Sequence, residues 1–146
     1  MQIEIKIDSK LTEPKVIIMT DQMTEEIKAL AQRLSETELQ MLAGVREDRV
    51  SVLDPKSILR IYAANGKVFA VTEEGEYLLR LRLYELEERL RRDSFVRISH
   101  SEILNLKKVR QFDLSLTGTI CVSLSDGSVA YVSRRYVSKI KEMLGL

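Results

Sequence analysis

The sequence predicts an α+β fold, in which a mostly antiparallel β domain follows a small N-terminal unit. In the second part of the chain, short strand-like runs alternate with four turn dipeptides: Asn65-Gly66, Glu74-Gly75, Thr117-Gly118 and Asp126-Gly127. Glycine and asparagine tolerate the positive φ angles that tight hairpins need, so each dipeptide marks a reversal of the chain. Four reversals between short strands are typical of antiparallel sheets.

Residues 1–42 are predicted to form a small β-β-α unit. Residues 2–8 alternate between apolar and polar side chains, and residues 16–19 are a short apolar run, which predicts two strands. A helix follows, capped by Thr20 or Asp21. Its apolar stripe has helical spacing and consists of Met23, Ile27, Leu30, Ala31 and Leu34.

Residues 43–146 are predicted to form the β domain, with two helices inserted. Strands are expected at residues 58–64 and 67–72, on either side of Asn65-Gly66, and at residues 77–82, 109–115, 119–124 and 129–133. Leu83, Leu86 and Leu90 are spaced for one face of a helix. The last helix is predicted to begin after Ser133 and to end at Leu144, before Gly145.

A polar corner lies between two apolar segments in the middle of this domain. Phe95, Ile98 and Leu104 are apolar anchors, and the polar residues between them are Arg97, Ser99, His100 and Ser101. A short corner held by buried segments can project hydrogen-bonding side chains from a rigid frame.

The residue content argues against a catalytic or metal-binding protein. His100 and Cys121 are the only histidine and cysteine, which excludes a multi-histidine metal site, a structural zinc cluster and an internal disulfide. The glycines are isolated at turns, so the chain has no glycine-rich phosphate loop. We expect no cofactor and no small-molecule substrate. A Cys121–His100 nucleophile pair is the enzymatic alternative, against an inert thiol between apolar strand residues.

Hydropathy and cysteine usage predict a cytoplasmic protein. No apolar run reaches the roughly 18–20 residues needed to span a bilayer. The N-terminus alternates in polarity and lacks the apolar core of a secretory signal. A single cysteine is consistent with a reducing compartment.

Charge is distributed unevenly along the chain. Residues 1–44 contain 5 Lys/Arg and 8 Asp/Glu, whereas residues 45–146 contain 18 and 14, so only the second part is basic. The last helix adds a local feature, because Arg134 and Arg135 occupy its first turn and Lys139 follows one turn later. A helix N-terminus offers free amides to phosphate, and arginine adds a bidentate fork that can also read guanine. Both observations fit a nucleic-acid partner, and both fit an ordinary solvated surface equally well.

Two motifs resemble the LytTR DNA-binding domain, the output module of LytR/AlgR-type bacterial response regulators. They are FVRISHSEILNLKKV at residues 95–109 and LSDGSVAYVSRRYVSKIKEML at residues 124–144, and the resemblance covers roughly residues 43–146. It implies LytTR-type antiparallel β-sheets with a C-terminal helix, and a transcription regulator without catalysis. The N-terminal unit is too small for a receiver domain and lacks its acidic pocket, so a stand-alone regulator is expected.

The resemblance also implies the residues that contact double-stranded promoter DNA, which such proteins reach with loops and strand ends. The turn at Asn65 and Gly66, the polar corner and the start of the last helix are the three contact regions. The expected base-reading residues are Lys67, His100 and Arg135. The expected phosphate contacts are Arg97, Ser101, Arg134 and Lys139, with Arg97 alternatively holding the corner. Asn105 is expected to hold the corner through backbone hydrogen bonds.

The same resemblance implies two copies on repeated half-sites, hence a homodimer at least on DNA. The N-terminal unit is then expected to serve dimerisation or to dock a signalling partner, such as a membrane protein. The alternative is a protein–protein interaction module that retains the LytTR fold, which the near-zero net charge favours.

Overall fold

The structure is a computed structural model that describes residues 1–36 and 41–146. It divides into two compact units, Met1–Leu39 and Gln40–Leu146.

Residues 1–36 of the first unit contain one helix, α1, at Glu25–Glu36. Thr24 caps it, because its Oγ1 accepts a hydrogen bond from the Ile27 amide at 3.2 Å. The prediction of Thr20 or Asp21 as the cap is therefore wrong by one turn. The hydroxyl of Thr24 takes up one of the amides that every helix leaves unpaired at its start.

The two strands predicted before this helix are absent from residues 1–24. Ile3, Ile5 and Ile7 are 87%, 84% and 96% exposed. An alternating sequence becomes a strand only when a neighbouring strand takes up its backbone hydrogen bonds, and residues 2–8 are unpaired in this chain. The β-β-α prediction is thus wrong in its strands and right in its helix.

The second unit contains two antiparallel sheets. The larger one has the strand order β2-β1-β5-β4-β3-β7-β6. Its strands are β1 (Leu42–Arg46), β2 (Arg49–Leu53), β3 (Ile58–Ala64), β4 (Lys67–Thr72), β5 (Gly75–Leu79), β6 (Phe95–Ser99) and β7 (Glu102–Asn105). The helix α2 (Leu83–Arg89) lies between β5 and β6 in the chain.

The smaller sheet has the order β10-β9-β8 and is followed by the last helix. Its strands are β8 (Val109–Asp113), β9 (Ile120–Leu124) and β10 (Val129–Val132), and the helix α3 is Arg134–Met143. Gly145 follows α3 with a φ of 74°, a conformation that commonly ends helices. The α+β class and the antiparallel sheets predicted for this part of the chain are confirmed.

Two apolar cores hold this unit together. The first packs the three leucines Leu83, Leu86 and Leu90 against buried residues of the larger sheet. The second combines other residues of that sheet with the smaller sheet and with Ile140 of α3. The neighbours Ile58 and Leu59 are both fully buried and belong to different cores, so β3 is covered on both faces. Burying each such side chain contributes about 1.5–3 kcal/mol, and β3 is therefore a rigid base for the turns at its ends.

Candidate nucleic-acid interface

Two of the predicted contact regions lie at the same end of the larger sheet. Strand β3 pairs with β7, with Tyr62 in register with Glu102, and the Ala63 amide donates a hydrogen bond of 2.8 Å to the Ser101 carbonyl. The turn after β3 therefore lies beside the turn before β7. This pairing brings Asn65 and Lys67 next to His100 and Ser101.

Two arginines that the sequence did not single out lie at this end as well. Strand β4 pairs with β5, with Val68 in register with Leu79, so the residues after β5 lie beside the start of β4. Arg80 and Arg82 follow β5 directly, and both are exposed. We call the following set the basic rim, since its members line one open concavity: Asn65, Lys67, Arg80, Arg82, His100 and Ser101. The sequence predicted a strand over residues 77–82 and thus placed both arginines inside it, whereas β5 ends at Leu79.

Arg97 holds the polar corner in place. Its side chain is only 12% exposed, and its Nε donates to the Ser99 carbonyl at 2.8 Å. One terminal nitrogen donates to the His100 carbonyl, and the other lies 2.9 Å from a carboxylate oxygen of Glu87 on α2. The guanidinium thus binds both backbone carbonyls of the turn and ties the turn to the helix. This is the positioning role expected as the alternative for Arg97.

The corner itself presents His100 at its tip. The Ser101 amide donates to Ser99 Oγ at 3.2 Å, which closes the turn from inside. The register between β6 and β7 shifts between Arg97 and Ser99, so the strand bends as it enters the turn. His100 and Ser101 are both exposed. The backbone of the corner is therefore fixed, whereas its two tip side chains face solvent.

Asn105 makes the backbone hydrogen bonds expected of it, but at the other end of β7. Its side chain is buried, donates to the Ile58 carbonyl at 2.8 Å and accepts from the Lys107 amide at 3.0 Å. These bonds join the end of β7 to the start of β3. Asn105 therefore stabilises the strand that leaves the corner, and the corner itself depends on Arg97.

The start of α3 is joined to the strand that leads into the corner. The Ser133 amide donates to the Ile98 carbonyl at 2.9 Å, and Ile98 lies two residues before His100. Ile140 is 1% exposed and anchors the helix to the second core. Arg135 and Lys139 are exposed and four residues apart, so they share one helix face.

Arg134 lies against the turn between β8 and β9. A Cβ atom built on Gly118 would be 3.0 Å from Arg134 Nε, and Gly118 has a φ of 77°. Thr119 Oγ1 donates to the Val132 carbonyl at 2.6 Å and holds this turn to the end of β10. Glycine at position 118 therefore leaves the space that the Arg134 side chain occupies.

The cations of these surfaces are exposed and, among the described residues, form no ion pair with a carboxylate. Arg97 is paired with Glu87, Arg60 with Glu102 and Arg91 with Glu88. Within residues 1–36 and 41–146, in contrast, no carboxylate forms an ion pair with Lys67, Arg80, Arg82, Arg134, Arg135 or Lys139. Unpaired, exposed cations at one end of a rigid sheet and at a helix start form a surface suited to phosphates.

Cys121 lies mid-strand in β9, half-buried and in register with Asp113 and Tyr131. The interpretation of its thiol as inert stays a prediction.

Comparison with known proteins identifies the family. The family model of the LytTr DNA-binding domain matches residues 48–145. An uncharacterized HTH-type transcriptional regulator of Staphylococcus aureus strain MSSA476 is 30% identical over 100% of this chain and 99% of its own length. A regulator of the same description from strain NCTC 8325 is 29% identical over the same shares.

A solved structure has the same fold. The LytTr DNA-binding domain of a methyl-accepting/DNA response regulator from Bacillus cereus superposes with a TM-score of 0.69. It is 24% identical and covers 73% of this chain and 97% of its own.

Together, the fold and these similarities define a DNA-binding regulator. The chain belongs to the LytTR DNA-binding domain family, as the match over residues 48–145 shows. Its described helices are separated from one another by strands, so the helix-turn-helix named for the relatives is not an arrangement of residues 1–36 and 41–146. Within those residues, no helix has the length and apolar character required to cross a membrane.

Proposed function

We propose that this protein binds promoter DNA sequence-specifically through the basic rim and the start of α3, and regulates transcription there. The connection between the expected contact regions carries the proposal. The pairing of β3 with β7 and the hydrogen bond from Ser133 to Ile98 connect all three expected contact regions within one rigid unit. A connected set of contacts can enter adjacent parts of one DNA site together.

The proposed base-reading residues are Lys67, His100 and Arg135. Each is exposed at a turn tip or a helix start, where a side chain can reach a base edge. Arginine suits guanine because its planar fork matches the two acceptors on the major-groove edge. For His100, the fixed backbone of the corner lowers the entropy lost when the ring docks against DNA.

The proposed phosphate contacts are Ser101, Arg134 and Lys139, to which we add Arg80 and Arg82. The support for this addition is their exposure and their position in the basic rim. Asn65 is proposed to contact the backbone beside Lys67. Arg97 has a different proposed role, because its guanidinium already binds Glu87 and the carbonyls of the corner. We propose that it positions the corner without touching phosphate.

Two copies are proposed to occupy repeated half-sites, and the proposed place of action is the cytoplasm. A membrane protein as the source of the signal remains a prediction from the family resemblance.

The test is fluorescence anisotropy with the DNA upstream of the protein's own gene, against random DNA, at two salt concentrations. Arg135→Ala is expected to cost about 1–3 kcal/mol on the specific DNA and much less on random DNA. The matched control is Lys141→Ala, which removes an exposed cation from the last turn of the same helix. It should leave the specificity unchanged.

Two results would count against the proposal. Equal and weak binding of all variants to every DNA tested, including a genomic library, would leave the protein–protein alternative in the lead. Weak dependence of binding on salt would have the same meaning, because phosphate contacts release counterions.

A further inference from the structure

The N-terminal segment carries apolar surface that its own unit does not cover. None of residues 1–34 is buried. Nine large apolar side chains of this segment are more than half exposed: Met1, Ile3, Ile5, Ile7, Leu11, Val16, Ile17, Met19 and Met23. The apolar residues at positions 3, 5 and 7 share one face, since side chains alternate along an extended chain. Contiguous exposed apolar surface of this kind marks a site of association.

We propose that residues 1–8 pair antiparallel with the same residues of a second copy of this chain, about a two-fold axis at Ile5. In this register Ile3 faces Ile7 of the other copy, and the two Ile5 residues face each other. Glu4 then faces Lys6 of the other copy, twice in each dimer. The apolar face is continuous, and on the other face Glu4 meets Lys6 whereas Asp8 meets the neutral Gln2.

The neighbouring registers are disfavoured by charge. Centring the pair on Glu4 places two glutamates opposite each other, and centring it on Lys6 does the same with two lysines and adds Glu4 opposite Asp8. A parallel in-register pair repeats the problem, because Glu4 meets Glu4 and Lys6 meets Lys6. Like charges directly opposite each other are destabilising, so charge favours the arrangement centred on Ile5 over these three.

The helix of the same unit supplies cover for this ribbon. A two-stranded ribbon alone is marginally stable in water and needs packing against another element. On α1 and just before it, Met23 and Leu34 are 66% and 41% exposed, and Ile27 and Leu30 are half-buried. Two copies bring two such apolar stripes to one ribbon.

This pairing deepens the proposed binding of two copies to repeated half-sites. A test without DNA separates a failure of the pairing from a failure of DNA binding.

The test is the sedimentation of the full-length protein in the absence of DNA. The wild type is expected to form a dimer. Glu4→Lys and Lys6→Glu each convert two favourable cross-strand pairs into two unfavourable ones and should each raise the dissociation constant about tenfold. Both changes lie on an exposed, unpaired segment, so neither threatens the folding of the second unit. The matched control is Lys15→Glu, which makes the same charge change outside the pairing segment.

Mixing the two single variants gives the decisive result. A Glu4→Lys chain carries lysine at both positions and a Lys6→Glu chain carries glutamate at both, so the mixture should form a heterodimer about as tight as the wild-type dimer. The double variant should also dimerise with itself. A wild type that stays monomeric would overturn the proposal. So would a dimer that neither single variant weakens, because it would use another surface, such as the edge strand β2 with its exposed Val50 and Val52.

Discussion

Arg97 and Glu87 form an ion pair of 2.9 Å that joins strand β6 to helix α2. The same guanidinium binds two carbonyls of the turn that presents His100. The geometry of the corner therefore depends on a side chain whose donor groups bind Glu87 and the carbonyls of the turn.

Replacing Arg97 should destabilise the protein. Arg97→Ala leaves two carbonyls and a partly buried carboxylate without their partner, and we expect a loss of about 2 kcal/mol in the free energy of unfolding. Urea denaturation measures this loss. Arg91→Ala is the matched control, because Arg91 and Glu88 are both 70% exposed and such pairs contribute about 0–1 kcal/mol. Equal effects of the two changes would contradict the positioning role.

Asn105 should be among the least replaceable polar residues of the second unit. It is 1% exposed and bonds to both Ile58 and Lys107. Asn105→Ala leaves the Ile58 carbonyl and the Lys107 amide without their hydrogen-bond partner. We therefore expect the free energy of unfolding to fall by about 2–3 kcal/mol. Asn65→Gly at an exposed turn serves as a control and should change stability little, since glycine adopts the positive φ found there. A small effect at Asn105 would mean that water replaces both hydrogen bonds.

Gly118→Ala should impair DNA binding through Arg134. Alanine at this position is strained at a φ of 77° and would contact Arg134 Nε at 3.0 Å, so the arginine must move. Gly127→Ala is the matched control, because Gly127 has a φ of 87° with open space around it. Both should lose about 1 kcal/mol of stability. Only Gly118→Ala should weaken DNA binding in the anisotropy assay, and equal affinities would remove Arg134 from the interface.

Arg80 and Arg82 should each contribute one phosphate contact. Alanine at either position should weaken binding uniformly across DNA sequences and reduce the salt slope by about one. Arg49→Ala is the control, because Arg49 starts the edge strand β2 at the opposite end of the sheet. Salt titrations of the three variants measure the slopes, and an unchanged slope for Arg80→Ala and Arg82→Ala would restrict the interface to the residues expected from the family.

Two carboxylates should affect stability with opposite pH dependence. Burial raises the pKa of the Glu102 carboxyl, and nearby Arg60 offsets only part of this effect. The unfolded chain then releases this proton at a lower pH than the folded chain. The contribution of Glu102 to stability is therefore complete at acidic pH and declines as pH rises through and above 4.5.

Asp126 provides the contrast. Hydrogen bonds from the Ser128 hydroxyl and amide lower the pKa of Asp126. The contribution of Asp126 to stability is therefore present above pH 3.8 and is lost as pH falls. Urea denaturation of the wild type, of Glu102→Gln and of Asp126→Asn between pH 3 and 7 measures the contributions of both carboxylates to stability. As pH rises, the free energy of unfolding of the wild type should decrease relative to that of Glu102→Gln. Relative to that of Asp126→Asn, it should increase. A common sign would contradict these pKa directions.

The sequence predicted those parts of the fold that depend on local chemistry. Asn65-Gly66 identified the turn between β3 and β4, whose bounds match the predicted runs of residues 58–64 and 67–72. The hairpin of β1 and β2 was missed because its turn uses Glu47 and Asp48, with φ angles of 50° and 62°. Positive φ at two residues without glycine is uncommon, so no local signal marked this turn.

Features that depend on pairing between distant segments could not be predicted in the same way. The alternation of residues 2–8 predicted a strand, but a strand also needs a neighbour, which this chain does not place there. Arg80 joins the basic rim only because β4 lies between β3 and β5, and Asn105 bonds to Ile58, 47 positions away. Local patterns show neither relationship.

The hydrogen bond from Ser133 to Ile98 sets a fixed length between two proposed DNA contacts. The corner and the start of α3 cannot move apart without breaking it, so the spacing between the two proposed contacts is fixed by the protein. When the spacing of the target positions on DNA differs from this fixed spacing, the DNA must bend or twist to meet both proposed contacts. Bases between the contacts, touched by no side chain, would therefore influence affinity through the stiffness of their stacking.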